Sequence, residues 1–282
     1  MNASEPAPLR RAWLVVNPDS HSTSEEMVAR VRDAVAEAGL TLDRELHFPA
    51  EDMPHSDDLR AADVDTLILF GGDGTITCGA TRMEDWDGRI VVLPGGTMNL
   101  IAKHLHGGAD AEEITTRALT EPDAEALPYV QAEEHFSFAR VIAGPAAGFV
   151  HVRERVRHRG FGAFWRALVF AWRLLWSRSI AIDGQPGRYR AIFIHADMDR
   201  QLHVDAIRAG NLFIVLRLAF AWISGNLAGS SALAQLELDE LIIRSSRPVH
   251  VLFDGEEQIL NAPVRFAPGI TPPHFLRTKA PE

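Results

Sequence analysis

The sequence predicts an α/β domain followed by an all-β domain. Up to about residue 125, apolar runs of strand length alternate with stretches whose apolar residues recur at helical spacing. This alternation is typical of a parallel sheet with helices on its faces. Beyond that point, short apolar or alternating runs follow one another between turns, which favours an antiparallel sandwich. A chain of 282 residues has room for both domains.

Four strands and two helices are predicted in the first part of the chain. A buried strand over 13–16 stops at Asn17-Pro18, and Ser24 then offers an N-cap with acidic residues behind it. Apolar residues recur at helical spacing from 27 to 38, and Gly39 is a natural helix-ending residue. Further strands are predicted over 42–48, 64–70 and 89–93, and a helix over 100–105.

Two glycine-rich turns follow the third and fourth of these strands. Residues 71–75 are Gly-Gly-Asp-Gly-Thr, and residues 94–99 are Pro-Gly-Gly-Thr-Met-Asn. Because glycine has no Cβ, backbone N–H groups in such turns can approach a phosphate closely. Ligands of open α/β sheets bind where parallel strands end, near helix N-termini. One such turn is compatible with a simple tight connection, whereas two matching turns favour a polyphosphate site.

The second half of the chain is predicted to be rich in strands. Apolar or alternating runs cover 136–142, 190–195, 212–216, 234–244 and 249–253, and the exception is a helical block over about 161–177. Asp254-Gly255 follows the last of these runs. Taken alone, this dipeptide is typical of a hairpin turn.

Composition limits the classes of protein to consider. The formal charge of −10 argues against a nucleic-acid partner, since such proteins usually carry a basic domain. The single Cys78 excludes an internal disulfide, and residues 1–11 lack the apolar centre of a secretory signal, so a cytoplasmic location is expected. The longest apolar stretches, 161–176 and 212–223, are interrupted by arginines and are too short to span a bilayer. A soluble or peripheral protein is therefore expected.

Four motifs occur in order along the chain: Val-Asn-Pro at 16–18, Gly-Gly-Asp-Gly-Thr at 71–75, Leu-Pro-Gly-Gly-Thr-Met-Asn at 93–99 and Phe-Asp-Gly-Glu at 253–256. In this order they resemble the diacylglycerol kinase catalytic-domain family, which includes bacterial lipid kinases, sphingosine kinases and ceramide kinases. The resemblance implies a Rossmann-like nucleotide domain over 1–125, to which 267–282 returns. It implies a β-sandwich lipid-binding domain over 126–266.

The resemblance also implies phosphoryl transfer from ATP, with Mg²⁺ as cofactor, and assigns roles to residues. Asp73 would lie beside the phosphates or bind their Mg²⁺, and Thr75 and Thr97 would bond phosphate oxygens or cap their helices. Asp254 would be the general base for the acceptor hydroxyl, supported by Glu256. The full nucleotide-binding set is Asn17, Gly71, Gly72, Asp73, Gly74, Thr75, Gly95, Gly96, Thr97 and Asn99.

The helical block over 161–177 is amphipathic. Arg159, Arg166 and Arg173 are seven residues apart and share one face, while Trp165 and Trp172 lie on an apolar face. Such helices can lie on an anionic membrane surface, with tryptophan at headgroup depth. An open alternative is that the aromatic face packs on the sandwich and the arginines are solvated.

The sequence thus predicts an ATP-dependent lipid kinase that phosphorylates a primary hydroxyl of a neutral lipid, either diacylglycerol or a ceramide or sphingoid lipid. The chain departs from the family where Leu100 follows Asn99, since many relatives carry Asp there, so an acceptor other than diacylglycerol stays open. Two further alternatives are a soluble kinase that acts on NAD and a non-catalytic nucleotide-binding regulator at the membrane. Neither acceptor identity nor oligomeric state follows from the sequence.

Overall fold

The computed structural model describes residues 9–83, 85–145, 147, 179–208, 233–272 and 274–279. The chain divides into two units. Unit 1 contains Met1–Leu127 and Ile270–Glu282, and unit 2 contains Pro128–Gly269. The predicted fold class is confirmed, since unit 1 is α/β and unit 2 is built from antiparallel strands.

Unit 1 is built on a sheet with six strands among the described residues. These are β1 (Arg11–Val16), β2 (Thr41–His47), β3 (Thr66–Gly71), β4 (Arg89–Pro94), β5 (Asp123–Glu125) and β17 (Phe275–Arg277). Their order is β2-β1-β3-β4-β17-β5. All neighbours are parallel except β17 and β5, which are antiparallel. The last strand of the chain therefore lies inside the first unit's sheet.

The helices of unit 1 are α1 (Glu25–Glu37), α2 (Ser56–Ala61), α3 (Asp73–Thr81), α4 (Leu100–His106) and α5 (Ala111–Thr120). Ser24 caps α1 as predicted, because its hydroxyl accepts the N–H of Met27 at 3.2 Å. Gly39 follows α1 with φ +81°, a conformation that glycine adopts without steric cost. No helix is predicted from the sequence at α2, because its six residues are too few for a clear periodicity.

One face of the sheet is covered by α1 and α5. Val31 and Val35 of α1 and Ala118 of α5 pack against strand residues such as Leu14 and Ile68, all of them buried. Strands β1, β3 and β4 are buried almost throughout, which explains why they appear in the sequence as continuous apolar runs. These buried strands fix the position of the sheet edge at which the two glycine turns begin.

Unit 2 contains two sheets in its described part. The first has the order β12-β11-β10-β8-β14-β15, and the second has the order β7-β6-β16-β13-β9. The strands of the first are β8 (Val141–Ala143), β10 (Tyr189–Ala196), β11 (Leu202–Arg208), β12 (Leu233–Leu238), β14 (Val249–Phe253) and β15 (Glu256–Leu260). Those of the second are β6 (Pro128–Ala132), β7 (His135–Ser137), β9 (Ala181–Ile182), β13 (Leu241–Arg244) and β16 (Val264–Ile270). Neighbouring strands of the first sheet all run antiparallel.

An apolar core joins the two sheets in the described part of unit 2. Ile194 and Val251 come from the first sheet, Ile243 and Phe266 from the second, and all are buried in one cluster. Two predicted runs are each divided between the sheets, since 136–142 forms β7 and β8 and 234–244 forms β12 and β13. The predicted strand over 212–216 and the helical block over 161–177 lie outside the described residues.

Candidate functional site

The first glycine turn, residues 71–75, connects β3 directly to α3. Gly71 ends the strand, and Gly72 is the N-cap of the helix with an extended backbone (φ −81°, ψ 171°). Because glycine has no side chain, this helix start receives no side-chain cap. Its first backbone N–H groups carry the partial positive charge of a helix N-terminus, which is suited to an anion.

The second glycine turn, residues 94–99, packs directly on the first. Gly95 N–H donates to the Gly71 carbonyl at 2.8 Å. A Cβ on Gly95 would lie 2.7 Å from Gly71 Cα, and a Cβ on Gly96 would lie 2.7 Å from Gly72 Cα. Such distances are too short for any side chain. The glycines of the second turn are therefore required for contact between the two turns, a reason that sequence reasoning did not supply.

A third loop, which follows β1, joins the two turns. The Asn17 side-chain amide donates to Thr75 Oγ1 at 2.8 Å, and Ser22 N–H donates to the Gly95 carbonyl at 2.8 Å. Thr23 Oγ1 donates to the Asn17 carbonyl at 2.6 Å. The structure thus brings together Asn17, Thr75 and the glycine turns, all of which were predicted to bind the nucleotide.

Of the two roles predicted for Thr75 and Thr97, helix capping is not found, and binding of phosphate oxygens stays a prediction. Thr75 lies within α3 and bonds Asn17, while Thr97 is exposed in the second turn. The N-cap of α4 is Asn99, with a left-handed backbone (φ +50°), and its Oδ1 accepts the Gly96 N–H at 2.7 Å. Asparagine tolerates this conformation better than most residues. Asn99 therefore closes the second turn, and neither threonine is the N-cap of its helix.

Asp73 connects the starts of α3 and α4. Its side chain is 8% exposed, and Oδ1 accepts the Ile101 N–H at 3.1 Å. Among the described residues, no group of three or more His, Cys, Asp or Glu side chains is arranged to hold a metal ion. Mg²⁺ commonly uses only one or two carboxylates together with substrate phosphates. A carboxylate beside the glycine turns fits that requirement, and a metal role for Asp73 stays a prediction.

Asp254 lies in a two-residue turn between β14 and β15. Asp254 and Gly255 both have positive φ, +49° and +98°, as expected for the tight turns that match strand twist. The hairpin predicted from the dipeptide alone is thus present. Glu256 begins β15 opposite Phe253 and is exposed. The catalytic roles of Asp254 and Glu256 stay predictions.

The Asp254 carboxylate accepts four hydrogen bonds from residues 137–140, that is, from the end of β7 and the segment that follows it. Ser137 Oγ donates to Oδ1 at 2.6 Å, and the backbone N–H groups of Ala139 and Arg140 donate to Oδ1 at 3.0 Å each. Phe138 N–H donates to Oδ2 at 2.9 Å. No sequence motif marks this segment, because its link to Asp254 spans more than a hundred residues.

A cavity of about 690 Å³ lies in unit 1 beside β1 and β2. Its floor includes Trp13, Leu46 and Met53, which are all buried, and its charged lining includes Arg44 and Arg82. The Arg44 guanidinium stacks over the Trp13 ring at 5.2 Å. The cavity is large enough for a small ligand. Sequence reasoning did not identify it, since its lining comes from separate elements.

The predicted membrane-binding residues Arg159, Trp165, Arg166, Trp172 and Arg173 lie outside the described residues. None of the helices in the described part of the chain has the length and apolar character needed to cross a bilayer.

Comparison with known proteins identifies one matching protein-family model. Residues 11–131 match the family model described as diacylglycerol kinase catalytic domain. The matched stretch contains both glycine turns and ends before Asp254. This match confirms the resemblance derived from the sequence motifs. No curated protein matches the chain in sequence.

Several solved structures are similar to the chain over nearly its whole length. Three of them, from Bacillus anthracis strain Sterne, are named diacylglycerol kinases, two of them provisionally. Two are 16% identical to this chain and one is 15% identical, each with a TM-score of 0.66. Each comparison covers 96% of this chain and 97% of the other. At this level of identity the likeness shows a shared fold.

Proposed function

We propose, on the premise that residues 11–131 form a diacylglycerol kinase catalytic domain, that the chain is an ATP-dependent lipid kinase. It transfers the γ-phosphate of ATP to a primary hydroxyl of a neutral lipid, either diacylglycerol or a ceramide or sphingoid lipid. The observation that carries the proposal is the pair of interlocked glycine turns where β3 and β4 end. Two such turns at one edge of a parallel sheet are suited to a polyphosphate.

The phosphates bind at the start of α3 in this proposal. The backbone N–H groups that follow Gly72 supply donors and the positive end of the helix dipole. At Gly74 and Gly96, the absence of a side chain allows further backbone to approach the phosphates. Asn17 and Asn99 act chiefly by holding the turns, since their side chains bond Thr75 and Gly96.

Asp73 is the residue proposed to hold Mg²⁺. When bound, Mg²⁺ neutralises charge on the β- and γ-phosphates. The Ile101 N–H fixes the orientation of the Asp73 carboxylate from within the protein, so little reorganisation is needed. This arrangement fits a role in positioning the phosphates.

Asp254 is the proposed general base. The acceptor oxygen forms a bond to the γ-phosphorus, the bond from that phosphorus to the β,γ-bridging oxygen breaks, and ADP leaves with the electron pair. The acceptor's proton passes to the Asp254 carboxylate. Because the hydroxyl becomes acidic only as the new bond forms, it needs a well-positioned acceptor more than a strong one. Four internal hydrogen bonds provide such positioning.

The lipid acceptor and the membrane are proposed partners. The arginines and tryptophans of the amphipathic 161–177 block would attract the protein to an anionic surface from the cytoplasmic side. In this case the protein sediments with anionic vesicles, and both salt and the Arg166→Glu substitution reduce the sedimented fraction. Equal recovery of wild type and variant in the supernatant would contradict the membrane proposal.

A second candidate function is a nucleotide-binding regulator without kinase activity, and the contacts of Asp254 are compatible with it as well. The bonds that hold the Asp254 carboxylate would also be found in a purely structural aspartate. A regulator would bind ATP and transfer phosphate to no acceptor.

The deciding experiment is transfer of labelled γ-phosphate from Mg-ATP to diacylglycerol, ceramide, sphingosine and NAD in mixed micelles. Asp254→Asn is compared with Asp199→Asn, a matched change at an exposed aspartate of unit 2. We expect label in one lipid, loss of that label in Asp254→Asn with ATP binding retained, and no loss in Asp199→Asn. Label in NAD alone, or in no acceptor despite ATP binding, would replace the proposal with the soluble kinase or the regulator.

A further inference from the structure

Ser137, which the family motifs do not include, is buried and forms a hydrogen bond with the half-buried Asp254. Ser137 is the last residue of β7 and is 1% exposed. Its hydroxyl lies 2.6 Å from Asp254 Oδ1, within the range of short hydrogen bonds between a hydroxyl and a charged carboxylate. Breaking this bond leaves a buried polar group without its partner, so the contact is costly to lose.

The three residues after Ser137 donate the other three hydrogen bonds to the carboxylate. The N–H groups of Phe138, Ala139 and Arg140 converge on it, and Asp254 N–H donates back to the Arg140 carbonyl at 3.3 Å. Successive backbone N–H groups that point to one anion form a concave anion-binding nest. The carboxylate is therefore held by three backbone N–H groups and by one side chain.

The hairpin turn by itself does not require a carboxylate at position 254. Glycine or asparagine at the first position of a two-residue hairpin turn would satisfy the backbone, which has φ +49° here. The carboxylate adds contacts that reach a different strand in a different sheet. These contacts fix the orientation of one side chain.

We propose that Ser137 is a positioning residue for the phosphoryl transfer, and that its hydroxyl fixes the Asp254 carboxylate in the orientation that receives the acceptor's proton. This inference rests on the proposed function. Ser137 does not contact a substrate and acts only through Asp254. Of the four hydrogen bonds described above, the backbone nest supplies three, and the fourth, from the Ser137 side chain, can be removed by substitution.

The test compares Ser137→Ala with Ser137→Cys and with Thr115→Val. Cysteine is nearly isosteric with serine and keeps a weak donor. Thr115 is buried in α5, and its hydroxyl donates to the Ala111 carbonyl at 2.7 Å, so Thr115→Val removes a buried hydroxyl hydrogen bond away from the proposed chemistry. For each variant, kcat, the KM for ATP, and the midpoint of thermal unfolding are measured.

We expect kcat of Ser137→Ala to fall about tenfold or more, which corresponds to the loss of one strong hydrogen bond, while the KM for ATP stays within about twofold. Ser137→Cys should recover part of kcat. Thr115→Val should lose stability to a similar extent and keep the wild-type kcat.

Two results would overturn the inference, and a third concerns the proposed function. A folded Ser137→Ala variant with wild-type kcat would contradict the positioning role. An equal loss of kcat in Ser137→Ala and Thr115→Val would contradict it as well. A wild-type protein that transfers label to no acceptor overturns the proposed function instead, and with it the reaction that Ser137 would serve.

Discussion

The Asp73 carboxylate accepts the backbone N–H of Ile101 at 3.1 Å, and this buried bond connects the helices that follow the two glycine turns. The same carboxylate is the predicted Mg²⁺ ligand. Asp73 therefore has two separable roles, one in holding the turns together and one in the proposed chemistry.

Two substitutions at Asp73 should separate these roles. Asp73→Ala leaves the Ile101 N–H without its acceptor and should lower the free energy of unfolding by about 1–3 kcal/mol. Asp73→Asn keeps a side-chain oxygen as acceptor and should stay within about 0.5 kcal/mol of wild type while phosphoryl transfer falls about a hundredfold. Urea unfolding and γ-phosphate transfer measure the two effects. Full transfer activity in Asp73→Asn would argue against the metal role.

A double-mutant cycle tests whether the loop after β1 is coupled to the first glycine turn. The Asn17 side chain donates to Thr75 Oγ1 at 2.8 Å, so Asn17→Ala and Thr75→Val each remove the same bond. We expect the free energies of unfolding to be non-additive by about 0.5–1.5 kcal/mol. Strict additivity would mean that this bond contributes nothing to the stability of the site.

The turns of this site could be predicted from sequence, because each turn is marked by a few consecutive residues. Glycine runs directly after buried strands indicate both turns, and Asp254-Gly255 indicates its hairpin. The nest around Asp254 has no such signal, since Ser137 and Asp254 are brought together only by the tertiary fold. The same contacts explain why the predicted strand over 136–142 is interrupted at 138–140, where backbone N–H groups bond a side chain instead of a neighbouring strand.

The position of the last strand was also beyond local reasoning. Three residues, Phe275–Arg277, form β17 between β4 and β5. A run this short has no recognisable period, and only the family resemblance implied a returning tail. Contacts farther along the tail hold it to α4, where His106 Nδ1 lies 3.1 Å from Thr278 Oγ1.

Stability should depend on pH through His106. Burial is the main cause that lowers the pKa of His106 from 6.5 to about 4, and the side chain is 5% exposed. Between these values the unfolded chain binds a proton that the folded chain does not, so stability is lost as the pH falls. The shift corresponds to ~3 kcal/mol lost by pH 4.

Urea unfolding of wild type and His106→Gln between pH 7 and pH 4.5 measures this effect. His106→Gln should be less stable at pH 7 and should show a flatter pH dependence. His104→Gln, at an exposed position of the same helix, should keep the shape of the wild-type curve. Parallel curves for wild type and His106→Gln would contradict the assignment. His274, whose pKa is also lowered by burial, adds to the residual slope in every variant.

Alanine substitutions of glycine should separate packing between the turns from phosphate binding. A Cβ on Gly96 would lie 2.7 Å from Gly72 Cα, whereas a Cβ on Gly72 would lie 3.5 Å from its nearest neighbour, Gly96 Cα, which is an ordinary contact. Gly72 also has a negative φ that alanine adopts readily. Gly96→Ala should therefore lower the free energy of unfolding by about 2–4 kcal/mol, and Gly72→Ala by less than about 1 kcal/mol.

ATP binding gives the second half of this test. In the proposed function the backbone at Gly72 lies against a phosphate, so Gly72→Ala should weaken ATP binding about tenfold or more although the fold is kept. Gly108→Ala is the matched control, since a Cβ there meets nothing within 4 Å, and it should change neither property. Isothermal titration with Mg-ATP and urea unfolding measure both effects on the same proteins. If Gly72→Ala binds ATP as tightly as wild type, the glycines serve only the packing of the turns, and the phosphate must bind elsewhere.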